Sequence, residues 1–536
     1  MKLTRRQIHE QVYFYGLILL AVSLPLSIFA VTMSQIILLT NWVVEGRYDE
    51  KWLRFRKNPA IGILLAFYVL HALGLLWSSD VDYSSLDMRV KVSLFALPLI
   101  IGTSEPVKRK QLDRILLFFT MGVFAATMAS VMALLGWLSV QVEGYRDLSL
   151  FMSHIRFSLM VVLSILIVFW YLFICERPLP RLEKIWYLLG LLWFPVFLIL
   201  LKSLSGIVIM GFLGFFLLVR WVFEIRDSAI RFMVFMPVIM IPLFSIIYLG
   251  QVINRYYTFD EIHFDEIDSY TVLGNPYKNH PNLREVENGH YVWLHICDME
   301  MEEEWNKVSD IDFRGKTLNG NTIRGTLIRF LTSKGLRKDA AGVRQLSKAE
   351  IQAVEMGVAN HIYLQRFRLY PRIYEVIWEI DRYRLGYSPN EKSVVQRFLY
   401  LEAGWNIARE NLLYGVGNGD VKAEFVEYYD RVNSPLSEHW RRRAHNQYLT
   451  FLISFGIPGL MICLISLIAP VFLMKRNRSF MAVGFMILML LSMVSEDTLE
   501  TAAGASFIGF FYSLFVFGPD FPWLKTRIFK NNARKA

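Results

Sequence analysis

The 536-residue sequence predicts an all-α polytopic membrane protein, and three observations carry that reading. The chain is 54% hydrophobic and only 19% charged, where a soluble domain has roughly 45–50% apolar and about 25% charged residues. Apolar runs near the ~20 residues that cross a bilayer recur along it. Lys and Arg collect on alternate connections between those runs. The same composition excludes a disordered chain. The three cysteines Cys175, Cys297 and Cys463 are odd in number, and Cys175 and Cys463 fall inside apolar runs, which excludes a disulfide scaffold. The excess of 57 Lys+Arg over 47 Asp+Glu, a net +10, reads as the loop bias of a membrane protein and not as a nucleic-acid surface.

The runs fall at 12–30, 31–44, 60–77, 88–102, 112–138, 154–175, 185–201, 203–221, 229–250, 446–474, 479–493 and 501–517, which predicts about twelve transmembrane helices. The second is short, since 14 helical residues rise only ~21 Å. Charge arbitrates. With the N-terminus in the cytoplasm, the inward connections hold 24 Lys and Arg and the short outward ones two. Arg89 and Lys91, at the outer start of the fourth run, raise the second figure to four and leave the bias intact. If the second run did not span, the basic stretch 44–59 would face outward and the pattern would collapse. Both termini are therefore expected in the cytoplasm. The basic opening MKLTRRQIHE shows no small-residue cleavage site, so a retained first helix is expected.

Four parts follow: nine spans over 1–250, a loop domain over 251–445, three spans over 446–518 and a basic cytoplasmic tail over 519–536. A loop of about 195 residues is a domain and not a connector. Ser347 to Glu350 fits a capping box, and Ile351, Val354, Val358 and Ile362 repeat at helical spacing, as do Tyr363, Phe367, Tyr370 and Tyr374. Pro371 inside the second series predicts a kink or break. Gly and Asn around 272–276 and 315–321 predict turns.

Signatures of soluble enzymes are missing: no GxxxxGK[ST], GxSxG, HExxH or CxxC. No metal site and no cofactor are expected, and the acidic run Asp298, Glu300, Glu302, Glu303, Glu304 reads as a solvated face. The informative segment is 396–459. Arg397, Leu401, Trp405 and Ala408 share a helix face, a GVGNG turn follows at 415–419, and Arg441, Arg442, Arg443, Ala444, His445 and Asn446 lead into an apolar helix. Arginine and histidine thus reach the outer membrane–water interface. Arginine suits a diphosphate, because its planar fork makes two charge-assisted hydrogen bonds and never deprotonates. Histidine takes protons near neutral pH. Arginines at such an interface also serve simply as lipid anchors, and a histidine before a helix also serves as a cap.

The arrangement resembles the bacterial O-antigen ligases, with the related O-antigen polymerases and protein O-oligosaccharyltransferases. Those proteins have about twelve spans, one large periplasmic loop late in the chain, an Arg-x(n)-Trp helix, a G-x-G turn, a His-Asn-x-x-Leu helix start and a Gly-rich exit. Here these positions read Arg397 and Trp405, Gly415 and Gly417, His445 and Asn446 through Leu449, and the FGIPG stretch at 455–459. The family often carries a Ser-Arg-x-Gly element before the last pre-loop helix. This chain has Lys202 followed by Ser203, Leu204, Ser205 and Gly206, and Arg156 is the other cation placed to compensate.

The resemblance implies the fold of the lipid-sugar-using glycosyltransferases, set in the bacterial inner membrane with the loop domain in the periplasm between helices 9 and 10. It implies a metal-independent, inverting transfer of a glycan from undecaprenyl diphosphate to a hydroxyl acceptor such as lipid A core, in lipopolysaccharide or other polysaccharide biosynthesis, with membrane lipid but no nucleic acid as a partner. His445 and Arg397 would be catalytic. Arg156, Lys202, Arg441, Arg442 and Arg443 would bind the donor diphosphate. Trp405, Gly415, Gly417, Asn446, Glu496 and Asp497 would support the site or the acceptor. A repeat-unit polymerase and a protein-glycosylating ligase share these parts. A polytopic transporter or lipid flippase is the reading from another class, but such folds show two similar halves, and the single large loop makes the halves of this chain unequal.

Overall fold

The computed structural model describes residues 4–139, 145–225, 227–261, 267–283, 285–365 and 369–523. Phe367 and the tail beyond residue 523 lie outside the described residues. The chain divides into two compact units, Met1–Phe235 with Gln396–Ala536, and Met236–Val395.

The first unit opens with α1 (Arg5–Ser23) and α2 (Ile28–Glu45). The chain turns at 24–27, not after residue 30 as the apolar pattern suggested. Pro25 donates no backbone hydrogen bond, and the Ser27 hydroxyl accepts from Ala30 N to start α2. The second run thereby gains the length its sequence pattern lacked. Next come α3 (Tyr48–Lys57) and α4 (Pro59–Gly74), bent by 92°, then α5 (Val81–Lys91) and α6 (Ser93–Thr103). They are followed by α7 (Arg109–Leu134), α8 (His154–Phe169), α9 (Arg181–Leu200), α10 (Leu204–Glu224) and α11 (Ser228–Tyr256).

The second unit contains the last part of α11 and a hairpin of β1 (Val286–Glu287) and β2 (His290–Tyr291), whose two-residue Asn288-Gly289 loop has positive φ at both positions (53° and 93°). That is the turn chemistry a right-twisted hairpin needs. Around it lie α12 (Asp298–Val308), α13 (Ile323–Ser333), α14 (Ala340–Arg344), α15 (Lys348–Glu355) and α16 (Leu369–Arg384). Trp305, Met301, Phe330, Leu331 and Val354 fill one core. The capping box at Ser347 and Glu350 is present. Helix α15 ends at Glu355, so Val358 and Ile362 do not continue it. Pro371 does not break α16, because it lies in the first turn, where its missing N–H has no intrahelical partner to lose. The acidic run on α12 is tied up in structure: Asp298 pairs with Arg324 and Lys278, Glu302 with Arg314, Glu303 with Lys307, and Glu304 with Lys307 and Arg344, while Glu300 accepts from Asn275 and Ala340 N.

The chain closes with α17 (Ser393–Glu410), α18 (Val421–Arg431), α19 (Gln447–Leu473), α20 (Phe480–Ser495) and α21 (Ala502–Phe517). Among the described residues seven helices are long and apolar enough to cross a membrane, against the twelve spans predicted. They are α2, α7, α8 with its extension to Ile174, α9, α10, α11 and α19. The bent α3–α4 pair makes an eighth, and α20 and α21 are apolar but shorter. The protein is an all-α polytopic membrane protein.

In the first unit α4 packs on α19, α6 on α21, and α8 on α9, α10 and α20. Lipid tails are as apolar as leucine, so packing and interhelical hydrogen bonds hold such bundles together. Gln35 donates to Ser506 (2.8 Å), Trp42 to Thr103 (3.0 Å) and Trp193 to Thr127 (2.8 Å). Connections assigned to one side by charge do gather at one end of this unit: Arg6 and Arg54 share Glu105, Arg109 and Arg177 share Asp113, and Arg476 pairs with Asp520.

Candidate active site

The opposite end of the first unit is built by α17, α18 and the start of α19. Tyr400, Ala403, Ile407, Phe425, Tyr429, Ala444 and Ile453 form one small core. From it the Tyr400 hydroxyl donates to Trp440 O (2.6 Å) and the Tyr429 hydroxyl to Arg442 O (2.7 Å), which holds the segment leading to His445. The buried stripe of α17 includes Ala408. Arg397, Leu401 and Trp405 are exposed, while Ala408, on the same face by helical spacing, is buried.

Backbone accounting explains the glycine motifs. Helix α19 is interrupted at Gly456 (φ 64°, ψ −168°), and Pro458 brings no N–H to the carbonyl of Ser454. Ile457 N turns away to Leu412 O (2.7 Å), so the carbonyls of Ile453 and Ser454 lose their helical partners. The GVGNG turn supplies them: Val416 N donates to Ile453 O (2.8 Å) and Gly417 N to Ser454 O (2.9 Å). At Gly415 (φ 68°) a Cβ would lie 2.3 Å from Phe455 N, and at Gly417 (φ 92°) 2.3 Å from Ser78 Oγ, so both positions require glycine.

His445 sits just outside α19 with φ 48°, a left-handed conformation that L side chains adopt at a cost. The helix cap is Asn446, whose side chain accepts from Leu449 N (3.0 Å) and donates to Val494 O (2.9 Å). The imidazole is therefore not the cap. Its Nδ1 lies 3.7 Å from Glu496 Oε2, and the other oxygen of Glu496 lies 3.6 Å from the Arg397 guanidinium. One nearly buried carboxylate thus bridges His445 and Arg397, which are 48 positions apart in the chain.

A second, deeper network lies beside it. Glu500 accepts from Lys91 Nζ (2.9 Å) and Gln447 Nε2 (2.8 Å) and pairs with Arg443 (3.4 Å). Lys91, 1% exposed, also pairs with Asp87. Asp87 accepts from Asn418 of the glycine turn (3.1 Å), which in turn accepts from Ser84 (3.0 Å). Arg443 reaches the Tyr83 hydroxyl (3.2 Å), and Thr450 donates to Asp497 (2.8 Å). Burial alone would raise the Glu500 carboxyl, but Lys91 and Arg443 outweigh it and hold Glu500 well below the usual carboxylate range. Asp497 goes the other way: burial pushes it up against the pull of Arg443.

The remaining predicted residues divide. Arg156, in the first turn of α8, feels the charges of Glu496 and Asp497. Its Nε and that of Arg443 are buried with no hydrogen-bond partner among the described residues. Lys202 is exposed at φ 49° with no side-chain partner among the described residues, although its neighbour Ser205 meets Ser495 beside Glu496 (3.5 Å). Arg441 turns to Asp430 and Leu436 O, and Arg442 lies exposed over Trp440, so the structure does not bring these two to the cluster. Trp405 is 54% exposed. The sequence patterns did not single out Lys91, Asp87, Asn418 or Gln447. Lys91 had a signal, an ionisable residue inside an apolar run. Among the described residues no group of three or more His, Cys, Asp or Glu is arranged to hold a metal.

Residues 351–464 match the family model described as O-Antigen ligase, a span that takes in Arg397, Trp405, Gly415, Gly417, His445 and Asn446. No curated protein matches the chain. The resemblance read from the motifs is thereby supported over the segment that carries them.

Proposed function

We propose that this chain, which carries an O-antigen ligase domain over residues 351–464, is a multi-pass bacterial inner-membrane glycosyltransferase. It moves a glycan from undecaprenyl diphosphate to a hydroxyl acceptor such as lipid A core at the periplasmic face. The supporting observation is the meeting of His445 and Arg397 on Glu496, beside two buried arginine Nε donors with no partner among the described residues. A buried donor left unpaired is costly, and two of them at one site suit an anion such as a diphosphate.

In this reading Glu496 faces Nδ1, so the imidazole carries its proton there and presents Nε2 to the acceptor. The acceptor oxygen attacks the anomeric carbon and its proton passes to Nε2. The bond from that carbon to the diphosphate oxygen breaks, and its electron pair leaves with the diphosphate. Attack opposite the leaving group inverts the anomeric centre. Glu496 stabilises the imidazolium as it forms. Negative charge develops on the diphosphate, where Arg156, Arg397 and Arg443 are already fixed, and preorganised charges of this kind lower the barrier.

Deleting the gene tests the reaction through a gel of surface glycans. Loss of all long chains from lipid A core is the expected result. Chains of a single repeat would mean polymerase activity, and loss of glycoprotein signal would mean protein transfer. Arg397→Lys keeps the charge and removes the fork. It should lower transfer roughly 10- to 150-fold, the worth of one charge-assisted contact, and full activity would remove Arg397 from the site. Cysteine labels within 44–59 should react from the cytoplasm and labels within 257–445 from the periplasm; the reverse at either position would overturn the topology.

A further inference from the structure

The second unit holds a cavity of about 190 Å³ beside the end of α11. Its wall combines the rings of Tyr256, Tyr374 and Trp378 with the polar groups of Glu285, Asp381 and Arg382. None of these residues belongs to the cluster around His445, and the hairpin residue Asn288 joins the lining.

The charges in the wall are unequal in kind. Glu285 is fully engaged: it accepts from Arg382 (2.9 Å), from the Trp293 indole (2.9 Å) and from the Tyr387 hydroxyl. Asp381 is not. One of its oxygens accepts from the Tyr256 hydroxyl (3.2 Å), and it has no basic partner among the described residues. The Trp378 indole is flanked by three cations, Arg329, Arg382 and Lys392, at 5.1, 5.2 and 4.8 Å from its ring centre.

These neighbours select the ligand. Aromatic walls with a lone carboxylate would otherwise suit a quaternary ammonium group, but a cationic ligand here would meet the three cations already on Trp378. An anionic ligand would meet Asp381, whose charge no basic partner among the described residues offsets. What fits is a neutral group with an apolar face for the rings and hydroxyls for the carboxylate, and a pyranose ring is both. We propose that this cavity is a saccharide-binding site for a neutral sugar ring, with Tyr256 and Trp378 contacting the ring face and Asp381 accepting from adjacent hydroxyls. The site goes beyond the proposed transfer reaction and does not depend on it, because it requires none of the residues assigned there.

The test uses the full-length protein in lipid nanodiscs, with the methyl glycosides of glucose, N-acetylglucosamine and rhamnose as probes and saturation-transfer NMR with titration as the readout. At least one should bind saturably. Asp381→Asn should weaken that binding roughly tenfold or more, the loss expected for a hydrogen bond to a charged group, and Trp378→Ala should weaken it through the lost ring contact. Asp381→Asn preserves shape and keeps the test valid if the alanine variant fails to fold. His445→Ala should leave the affinity unchanged, which separates this site from the proposed reaction centre. Failure of all three glycosides to bind would overturn the proposal. So would binding indifferent to Asp381→Asn, loss of binding in His445→Ala, or displacement of the sugar by choline or glucuronate.

Discussion

Replacing His445 by alanine lowers glycan transfer roughly 10²- to 10⁴-fold, the usual worth of a positioned proton acceptor, while the protein stays inserted and folded. The structure supports the second half of that expectation. The side chain is a third exposed, the left-handed φ costs histidine and alanine alike, and the helix cap is Asn446. Transfer assayed on purified protein with a lipid-linked glycan measures the loss. His439, whose ring rests against Trp440 six positions earlier, is the internal control, and its alanine variant should transfer normally. Glu496→Gln keeps the shape but removes the charge that orients the imidazole and balances the imidazolium, so it should fall between the two. Near-normal transfer in His445→Ala would move the proton acceptor to Asp497, the neighbouring carboxyl raised by burial.

Lys91→Met destabilises the protein by about 3–5 kcal/mol, the usual cost of breaking a buried pair by removing one partner. Lys91 is the shared cation of Asp87 and Glu500, and its loss strands both carboxylates. The effect reads out as a lower unfolding midpoint in detergent. The sign with pH is set by Glu500, whose folded value is depressed. Its stabilisation is present above the unfolded carboxylate value of about 4.3 and is lost as pH falls through the depressed folded value. Without Lys91 the depression shrinks, so the acid limb of the stability curve should become shallower. Adding Glu500→Gln to Lys91→Met should recover part of the loss, because one of the stranded charges is then gone. An unchanged midpoint in Lys91→Met would mean that water already reaches the pair.

Membrane residence, helical class and the grouping of basic connections at one end were legible in the sequence, because hydrophobicity and charge act residue by residue along the chain. Local backbone rules were legible too: the capping box at Ser347 and Glu350 formed as written, and the Asn-Gly hairpin at 288–289 could have been found the same way. Boundaries that depend on competition were not. Pro25 and Ser27 moved the first turn, and Pro371 proved harmless because its place in the helix decides whether an N–H is missed.

Around His445 the order of residues alone says which chemical groups are present and which of them the chain carries to the membrane surface. Packing in three dimensions settles the rest. It turns Arg443 inward while Arg441 goes to Asp430, sets Glu496 between His445 and Arg397, and joins Lys91 to Glu500 across more than 400 positions. A charge removed from water must find its partner in space. Which partner is near depends on how α5, α8, α17, α19 and the connection before α21 pack, and no local pattern records that packing.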